Sequence, residues 1–245
     1  MDIILYNILV GFCALLFGYL FGSIPCGVIV GKVFYHRDPR EEGSKNSGGT
    51  NVGRLMGKKA GLLVIFLDMI KCVIPLIVIW VIFKFSPLLA TFEANLGQAM
   101  WDDGVFYIYL TPIGVSIGHC WPVFANFKGG KAVANFGGYG LATSWFTSLF
   151  GFGAFFITLK IKKYVSLGSI MAGIFSIIAA WGMFALQFVL PESFHHIGMW
   201  GWGDYLLAGW EYGVSTTFIG IMLIVRHKAN IGRLIRHEER KVTWL

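Results

Sequence analysis

"KAVANFGGYGLATSWFTSLFGFGAFFITLK", residues 131–160, is the stretch on which the fold turns. A lysine stands at each end, and the 28 residues between them are uncharged and mostly apolar. A helix of about 20 apolar residues, rising ~1.5 Å per residue, crosses the ~30 Å hydrocarbon core of a bilayer. The segment is therefore ample for one crossing and too short for two complete ones. Which of these it makes depends on the side of the membrane where each lysine lies.

The chain as a whole belongs in a bilayer. Of its 245 residues, 56% are hydrophobic and 13% charged, with a mean hydropathy of +0.67. Soluble domains carry about a quarter charged residues. Apolar runs cover roughly residues 3–22, 60–83, 106–118, 132–159, 165–190 and 205–225. The first has no basic region before it and no clear small-residue cleavage site after it, so it reads as a helix and not as a signal peptide. No linker, repeat or low-complexity segment divides the chain, and residues 1–245 read as one membrane-embedded domain. Cys13, Cys26, Cys72 and Cys120 lie in or beside apolar runs, form no C-x-x-C pair and read as small hydrophobes. His195-His196, beside Glu192, reads as an interfacial loop, so no metal site is expected.

The distribution of charge sets the topology. Of the 20 Lys and Arg, seven lie between residues 32 and 59, two are Lys128 and Lys131, three form "KIKK" at 160–163, and six lie between 226 and 241. The connection 84–105 carries Glu93, Asp102 and Asp103, and the connection 191–204 has two acids and no Lys or Arg. By the positive-inside rule the four basic regions are cytoplasmic and these two connections external. Lys131 and Lys160 then share a side, and an even number of crossings must fit between them. Two short or re-entrant helices satisfy this, with a hinge near "LATSWF" at 141–146. The sequence thus predicts an all-α integral membrane protein of seven transmembrane segments, N-terminus outside and C-terminus cytoplasmic, where plain hydropathy would count six.

All the unusual sequences then fall on one face. "GSKNSGGTN" (43–51) combines glycines, which can turn backbone N–H groups toward an anion, with neutral donors on Ser44, Asn46, Thr50 and Asn51. Arg54 adds a planar fork suited to phosphate. "KGGK" (128–131) supplies two ammoniums, with Lys131 at a helix start, itself an anion site. Either loop alone reads equally as a basic patch against lipid headgroups. Together on one face they favour a phosphate site. Asp68 and Lys71 lie one turn apart inside an apolar run, as a structural ion pair or a functional one. His227 and Asn230, also one turn apart, read with Arg233 as a polar wall. The Walker A spacing and the H-x-x-x-x-D acyltransferase motif are absent from the sequence, and there is no nucleophile elbow, since the one G-x-S-x-G match, "GVSIG" at 114–118, falls inside an apolar run.

"GSIP", "DPREEGSKNSGGTNVGRLMGKKAG…DMIK", "GHCWPVFANFKGGKA", "YVSLGS" and "RHKANIGRL…E", in this order from about residue 22 to residue 239, closely resemble the bacterial acyl-phosphate:glycerol-3-phosphate acyltransferases, the PlsY family. The resemblance implies a seven-segment enzyme of the bacterial cytoplasmic membrane with its active site facing the cytoplasm. It implies transfer of a fatty acyl group from acyl phosphate to the 1-hydroxyl of glycerol 3-phosphate, giving lysophosphatidic acid. Membrane lipids are the surroundings; no cofactor and no nucleic acid are implied. Carried over by motif, Ser44, Arg54 and Lys131 handle phosphate, with Gly43, Thr50, Asn51 and Lys71 beside them. Ser169, His227 and Asn230 are further polar contacts, and Glu239 matches the terminal acid of the last motif. Lys45, Ala132, Cys72 and His237 stand where the family usually has glycine. The insertions near 91–103 and 193–204 are longer than the family leads one to expect.

An acyl phosphate is already activated, so the protein has to place the acceptor hydroxyl and stabilise the developing oxyanion. Ser44, Asn46, His227 and Asn230 are the expected catalytic groups, with loop N–H groups and Asn230 as donors. The base is either an oxygen of the donor phosphate or His227. Two rivals stay open: a transporter or channel for a phosphorylated solute, and a non-catalytic headgroup binder. A transporter should carry charges through the midplane and often shows inverted repeats.

Overall fold

The stretch 131–160 does break near its middle. In the computed structural model, which describes residues 3–85, 105–191 and 209–242, a helix over Val133–Thr143 stops at Ser144 and a second runs over Trp145–Lys162. Ser144 has an extended backbone (φ −143°, ψ 114°), and its hydroxyl accepts the N–H of Thr147 at 3.1 Å, capping the second helix. The expected connections 84–105 and 191–204, including Glu93, Asp102, Asp103 and the His195-His196 pair, lie almost wholly outside the described residues.

Ten α-helices and one 3-10 turn make up the described residues, with no strand among them. In chain order they are α1 (Ile3–Gly22), α2 (Cys26–Tyr35), α3 (Gly49–Met56), α4 (Lys58–Phe85), α5 (Val105–Cys120), the 3-10 turn Val123–Ala125, α6 (Val133–Thr143), α7 (Trp145–Lys162), α8 (Val165–Leu186), α9 (Trp210–Arg226) and α10 (Lys228–Ile235). Among the described residues, four stretches are long and apolar enough to cross a membrane: Ile8–Tyr35, Lys58–Ile82, Ile108–Ala125 and Val165–Leu186. Leu9, Phe12, Phe66, Ile157 and Ile221 stand exposed on outward faces, as lipid-facing side chains do.

The tightest helix pair is α1 against α5. Gly18 and Gly22 on α1 meet Gly114 and Gly118 on α5, and a Cβ at any of the four would collide with a backbone carbonyl of the other helix. Two interlocked G-x-x-x-G faces let the backbones touch, which is how helices gain packing energy where lipid offers no hydrophobic drive. Beyond this pair, a core of Leu76, Ile108, Val115, Ile219 and Leu223 surrounds three tyrosines in mutual, tilted ring contact. The Tyr109, Tyr212 and Tyr139 rings lie 5.6 Å apart in succession.

The two halves of the broken segment part company. Helix α6 lies along α4, and α7 lies along α8, so a cleft opens between them. With 11 residues, α6 is only about 16 Å long, well short of a span. Both ends of the pair nevertheless return to the same end of the bundle. Lys131 Nζ donates to Asn230 Oδ1 at 2.6 Å, and the carbonyl of Lys163 accepts the N–H of Val242 at 2.9 Å. The two contacts tie the pair's opposite ends to one C-terminal segment.

Candidate active site

The cleft is a cavity of about 830 Å³. Its mouth is formed by the 43–54 segment, Lys131, Ser166, His227, Asn230, Arg233 and Glu239, and its waist by apolar residues of α4, α6, α7 and α8.

The glycine-rich loop is pressed between α2 and α4. A Cβ at Gly27 would collide with the Ser47 carbonyl, and one at Gly49 would strike Ile65 on α4. Asn51, buried at the centre, holds the loop closed. Its Oδ1 accepts the Ser44 N–H at 2.9 Å, and its Nδ2 reaches the carbonyls of Pro39, Asn46 and Glu42 at 2.7, 3.0 and 3.2 Å. Asn46 Oδ1 accepts the Gly48 N–H at 2.8 Å. Much of the loop's donor capacity is thus spent within the loop. At the start of α3, Gly49 and Thr50 line the wall, and a first helical turn leaves N–H groups without a helical partner.

Lys131 is placed by the turn before it. The Gly130 N–H donates to the His119 carbonyl at 2.9 Å, and the Gly130 carbonyl accepts from Arg226 at 3.1 and 3.2 Å. Arg226 in turn lies over the Trp121 ring, 5.1 Å from its centre. A Cβ on Gly130 would fall on the His119 imidazole, and one on Gly129 on the His119 carbonyl. The glycine pair of "KGGK" is therefore a close-packed seat for Lys131. Behind it, Asp68 Oδ1 meets Lys71 Nζ at 3.0 Å and His119 Nδ1 at 3.6 Å.

Glu239 is the hub of the mouth. Its Oε1 accepts from Asn230 Nδ2 at 2.7 Å and Ser166 Oγ at 2.8 Å, and its Oε2 from Arg233 Nε at 2.7 Å. Burial opposes its ionisation, but these three hydrogen bonds outweigh burial and hold its pKa below the usual value. Asn230 passes the contact on to Lys131 through its Oδ1. Burial pushes the Lys131 ammonium down to about 8; Glu239 works against this, and the charges of Arg233, Arg226 and Arg54 add to it. Arg54 is likewise lowered, by burial and by Arg240 and Arg233, with Glu239 opposing. Arg54, Lys131, Arg233 and Arg240 thus crowd around one carboxylate at the cavity wall. Such a mouth favours an anion.

His227 caps α9 with its ring buried. Its Nδ1 lies 2.8 Å from the Leu223 carbonyl, which can only accept, so Nδ1 carries the proton and Nε2 keeps a lone pair. Burial, then the Lys131 charge, lowers its pKa to about 4. At neutral pH it is an uncharged imidazole able to accept a proton or a hydrogen bond.

The family model for glycerol-3-phosphate acyltransferase matches residues 12–237. The chain belongs to the glycerol-3-phosphate acyltransferase family. It is 37% identical, over 232 residues, to the glycerol-3-phosphate acyltransferases of Staphylococcus aureus strains JH9 and Newman, covering 94% of this chain and 97% of each relative. It is also similar to the crystal structure of PlsY, an integral membrane glycerol 3-phosphate acyltransferase, in its glycerol 3-phosphate form. There the TM-score is 0.69 at 31% identity, covering 95% of this chain and 96% of that one. The lysophosphatidic acid form of PlsY matches with a TM-score of 0.68 at 30% identity, covering 95% of each chain. The chain is an integral membrane enzyme of the bacterial type.

Within the frame of this acyltransferase family, the expected site residues separate. Gly43, Ser44, Asn46, Thr50, Arg54, Lys131, Ser169, His227, Asn230 and Glu239 all border the cavity. Lys71 does not: its ammonium lies 3.0 Å from Asp68 Oδ1 and donates to the Ile24 carbonyl at 3.0 Å. Asn51 touches the wall, with both ends of its amide bonded to the loop and its approach. Ser169 lines the cavity with its hydroxyl bonded back to the Val165 carbonyl at 2.8 Å. Ser166, one turn earlier, reaches the Glu239 network and was missed in the sequence, although "YVSLGS" contains both serines.

Three departures from the family's glycines share one geometry. Lys45 (φ 52°), Ala132 (φ 58°) and His237 (φ 59°) are all left-handed. The backbone angle that glycine adopts freely is kept at each, and a side chain bears the strain. Cys72, the fourth departure, is fully buried in α4 and needs no such angle.

Proposed function

We propose that this enzyme transfers a fatty acyl group from acyl phosphate to the 1-hydroxyl of glycerol 3-phosphate, releasing lysophosphatidic acid and inorganic phosphate. The observation that carries this reading is the cavity's division: a cation-crowded mouth around Glu239 leads directly into an apolar waist. One end takes phosphate and the other takes an acyl chain. Lys131, Arg54 and the N–H groups at the start of α3 hold the phosphates, with Ser44 beside them. The acceptor hydroxyl oxygen attacks the acyl carbonyl carbon, and the bond from that carbon to the phosphate oxygen breaks. Asn46 and Asn230 stand where the transient oxyanion can be met. The hydroxyl proton passes to an oxygen of the departing phosphate or to His227 Nε2, which is bare and neutral. The PlsY structures, solved with glycerol 3-phosphate and with lysophosphatidic acid, support the acceptor and the product.

The same reading gives seven segments, the N-terminus outside and the mouth at the cytoplasmic surface, as the basic loops require. It treats the chain as one domain. The deciding experiment gives the purified protein, alone, radiolabelled glycerol 3-phosphate and palmitoyl phosphate. Labelled lysophosphatidic acid supports the reading. No product in a folded, substrate-binding preparation sinks it and returns the transporter to first place. A reporter joined after Lys163 should be cytoplasmic; a periplasmic signal would break the seven-segment order.

A further inference from the structure

The floor of the cavity is not apolar. At the deepest level of the lining helices the wall carries Tyr139 on α6, Thr147 and Ser148 on α7, and Tyr212 and Thr216 on α9. All five are buried. The hydroxyls of Tyr139, Ser148 and Thr216 close no hydrogen bond of good geometry with any described residue. The Tyr212 hydroxyl accepts from Thr143 Oγ1 at 3.5 Å and stands close to the hydroxyls of Thr147, Ser144 and Thr216. The tilted ring contacts among Tyr109, Tyr212 and Tyr139 keep the phenols in place. Buried hydroxyls without partners are costly, and a polar, roomy pocket end of this kind is where water settles.

Above this floor the waist is lined by Ile65, Met69, Phe136, Phe152, Ala172 and Leu223. Glycines keep it open as far down as the hydroxyls. A Cβ at Gly140 would come within 3.0 Å of Ser148 Oγ, and one at Gly151 would collide with Ser176 Oγ. An apolar chain entering from the mouth therefore meets apolar wall first and hydroxyls last.

We propose that the hydroxyls of Tyr139, Ser148 and Thr216 form a length gauge that sets the upper limit of the acyl chain this enzyme uses well. The proposal rests on the cavity's being the acyl site. Thr216 precedes His227 by eleven residues along α9 and its cap, a depth of about 16 Å. With carbon–carbon bonds of about 1.5 Å, an extended chain advances roughly 1.3 Å per carbon, so about a dozen carbons bridge mouth and floor. A lauroyl chain ends above the hydroxyls and a myristoyl chain at them. Palmitoyl and stearoyl chains must push methylenes among them, displacing water without replacing its hydrogen bonds.

The test measures kcat/KM for lauroyl, myristoyl, palmitoyl and stearoyl phosphate with the full chain in proteoliposomes. The wild type should lose roughly fivefold or more between myristoyl and stearoyl phosphate, the cost of leaving a buried hydroxyl unpaired. In Tyr139→Phe/Thr216→Val, which removes two hydroxyls at nearly constant volume, the two donors should agree within about twofold. Glycerol 3-phosphate should raise the melting temperatures of the variant and the wild type alike, showing a folded protein with an intact mouth. Ser148→Ala, the smallest change, should move the stearoyl-to-myristoyl ratio in the same direction. A flat profile in the wild type, or an unchanged profile in both variants, overturns the gauge and means the chain leaves sideways into lipid. A wild type that consumes no acyl phosphate of any length refutes the donor itself, a result that a flat profile does not resemble.

Discussion

Lys131 offers the sharpest test of the mouth because its charge sits within reach of experimental pH. Burial brings its pKa to about 8, so in the free enzyme the ammonium is intact at pH 7 and mostly lost by pH 9. Raising the pH through 8 removes the charge that holds phosphate, and kcat/KM should fall roughly tenfold per unit beyond it. Bound phosphate favours the ammonium, so the corresponding limb in kcat should lie at higher pH. A charge-assisted hydrogen bond contributes about 1.5–3 kcal/mol, so Lys131→Ala should lower kcat/KM by about ten- to a hundredfold at pH 7. Lys131→Arg should recover only part of that loss, since a planar fork does not replace a point charge held against Asn230 Oδ1 at 2.6 Å. The guanidinium does not titrate in this range, so the limb near 8 should vanish. Initial rates across pH 6–10 with saturating acyl phosphate decide the matter. A limb that stays near 8 in Lys131→Arg would assign it to another group. Equal, small losses in Lys131→Ala and in Lys128→Ala, whose side chain is exposed, would reduce "KGGK" to a headgroup-facing patch.

If a phosphate oxygen takes the proton, His227→Ala should leave a measurable rate and remove only an acid limb near pH 4 from the pH profile; total loss with normal substrate binding would make His227 the base. Lys45→Gly should raise Tm by about 2–4 °C by relieving a left-handed backbone, whereas Lys45→Ala should not. A Tm lowered by glycine would refute that strain. Gly130→Ala places a methyl group on the His119 ring and should cut kcat/KM at least tenfold by shifting Lys131. Wild-type kinetics in that variant would show that the turn can yield.

The broken segment was legible in the chain because charge obeys a one-dimensional rule. Lys131 and Lys160 lie beside basic loops that all prefer one side, and arithmetic on helix length then required a hinge near 141–146, which the structure has at Ser144. The phosphate-handling loops were legible for a similar reason: glycine, small donors and bases, contiguous in the chain, imply an anion wherever they meet. Contacts between distant segments were not legible. Lys71 and Lys131 are both lysines beside motifs, yet the phase of α4 turns one toward Ile24, and the turn at Gly129-Gly130 sets the other in the mouth. Ser166 and Ser169 differ only by which side of α8 faces Glu239, some seventy residues on. The four interlocked glycines of α1 and α5 have a sequence signature, G-x-x-x-G in each helix, but only the packed structure pairs them. The floor hydroxyls had none, because Tyr139, Ser148 and Thr216 come from three helices and are unremarkable in each. The sequence by itself determined a membrane-embedded, all-helical chain with its anion-binding chemistry gathered in a few loops. That information is local: hydropathy, charge and backbone freedom are properties of single residues or short runs. Which side chains reach the cavity, which are spent on holding it open, and where its apolar wall gives way to hydroxyls were decided only by the tertiary structure. Those outcomes depend on helix rotation and close approach, which no single segment encodes alone.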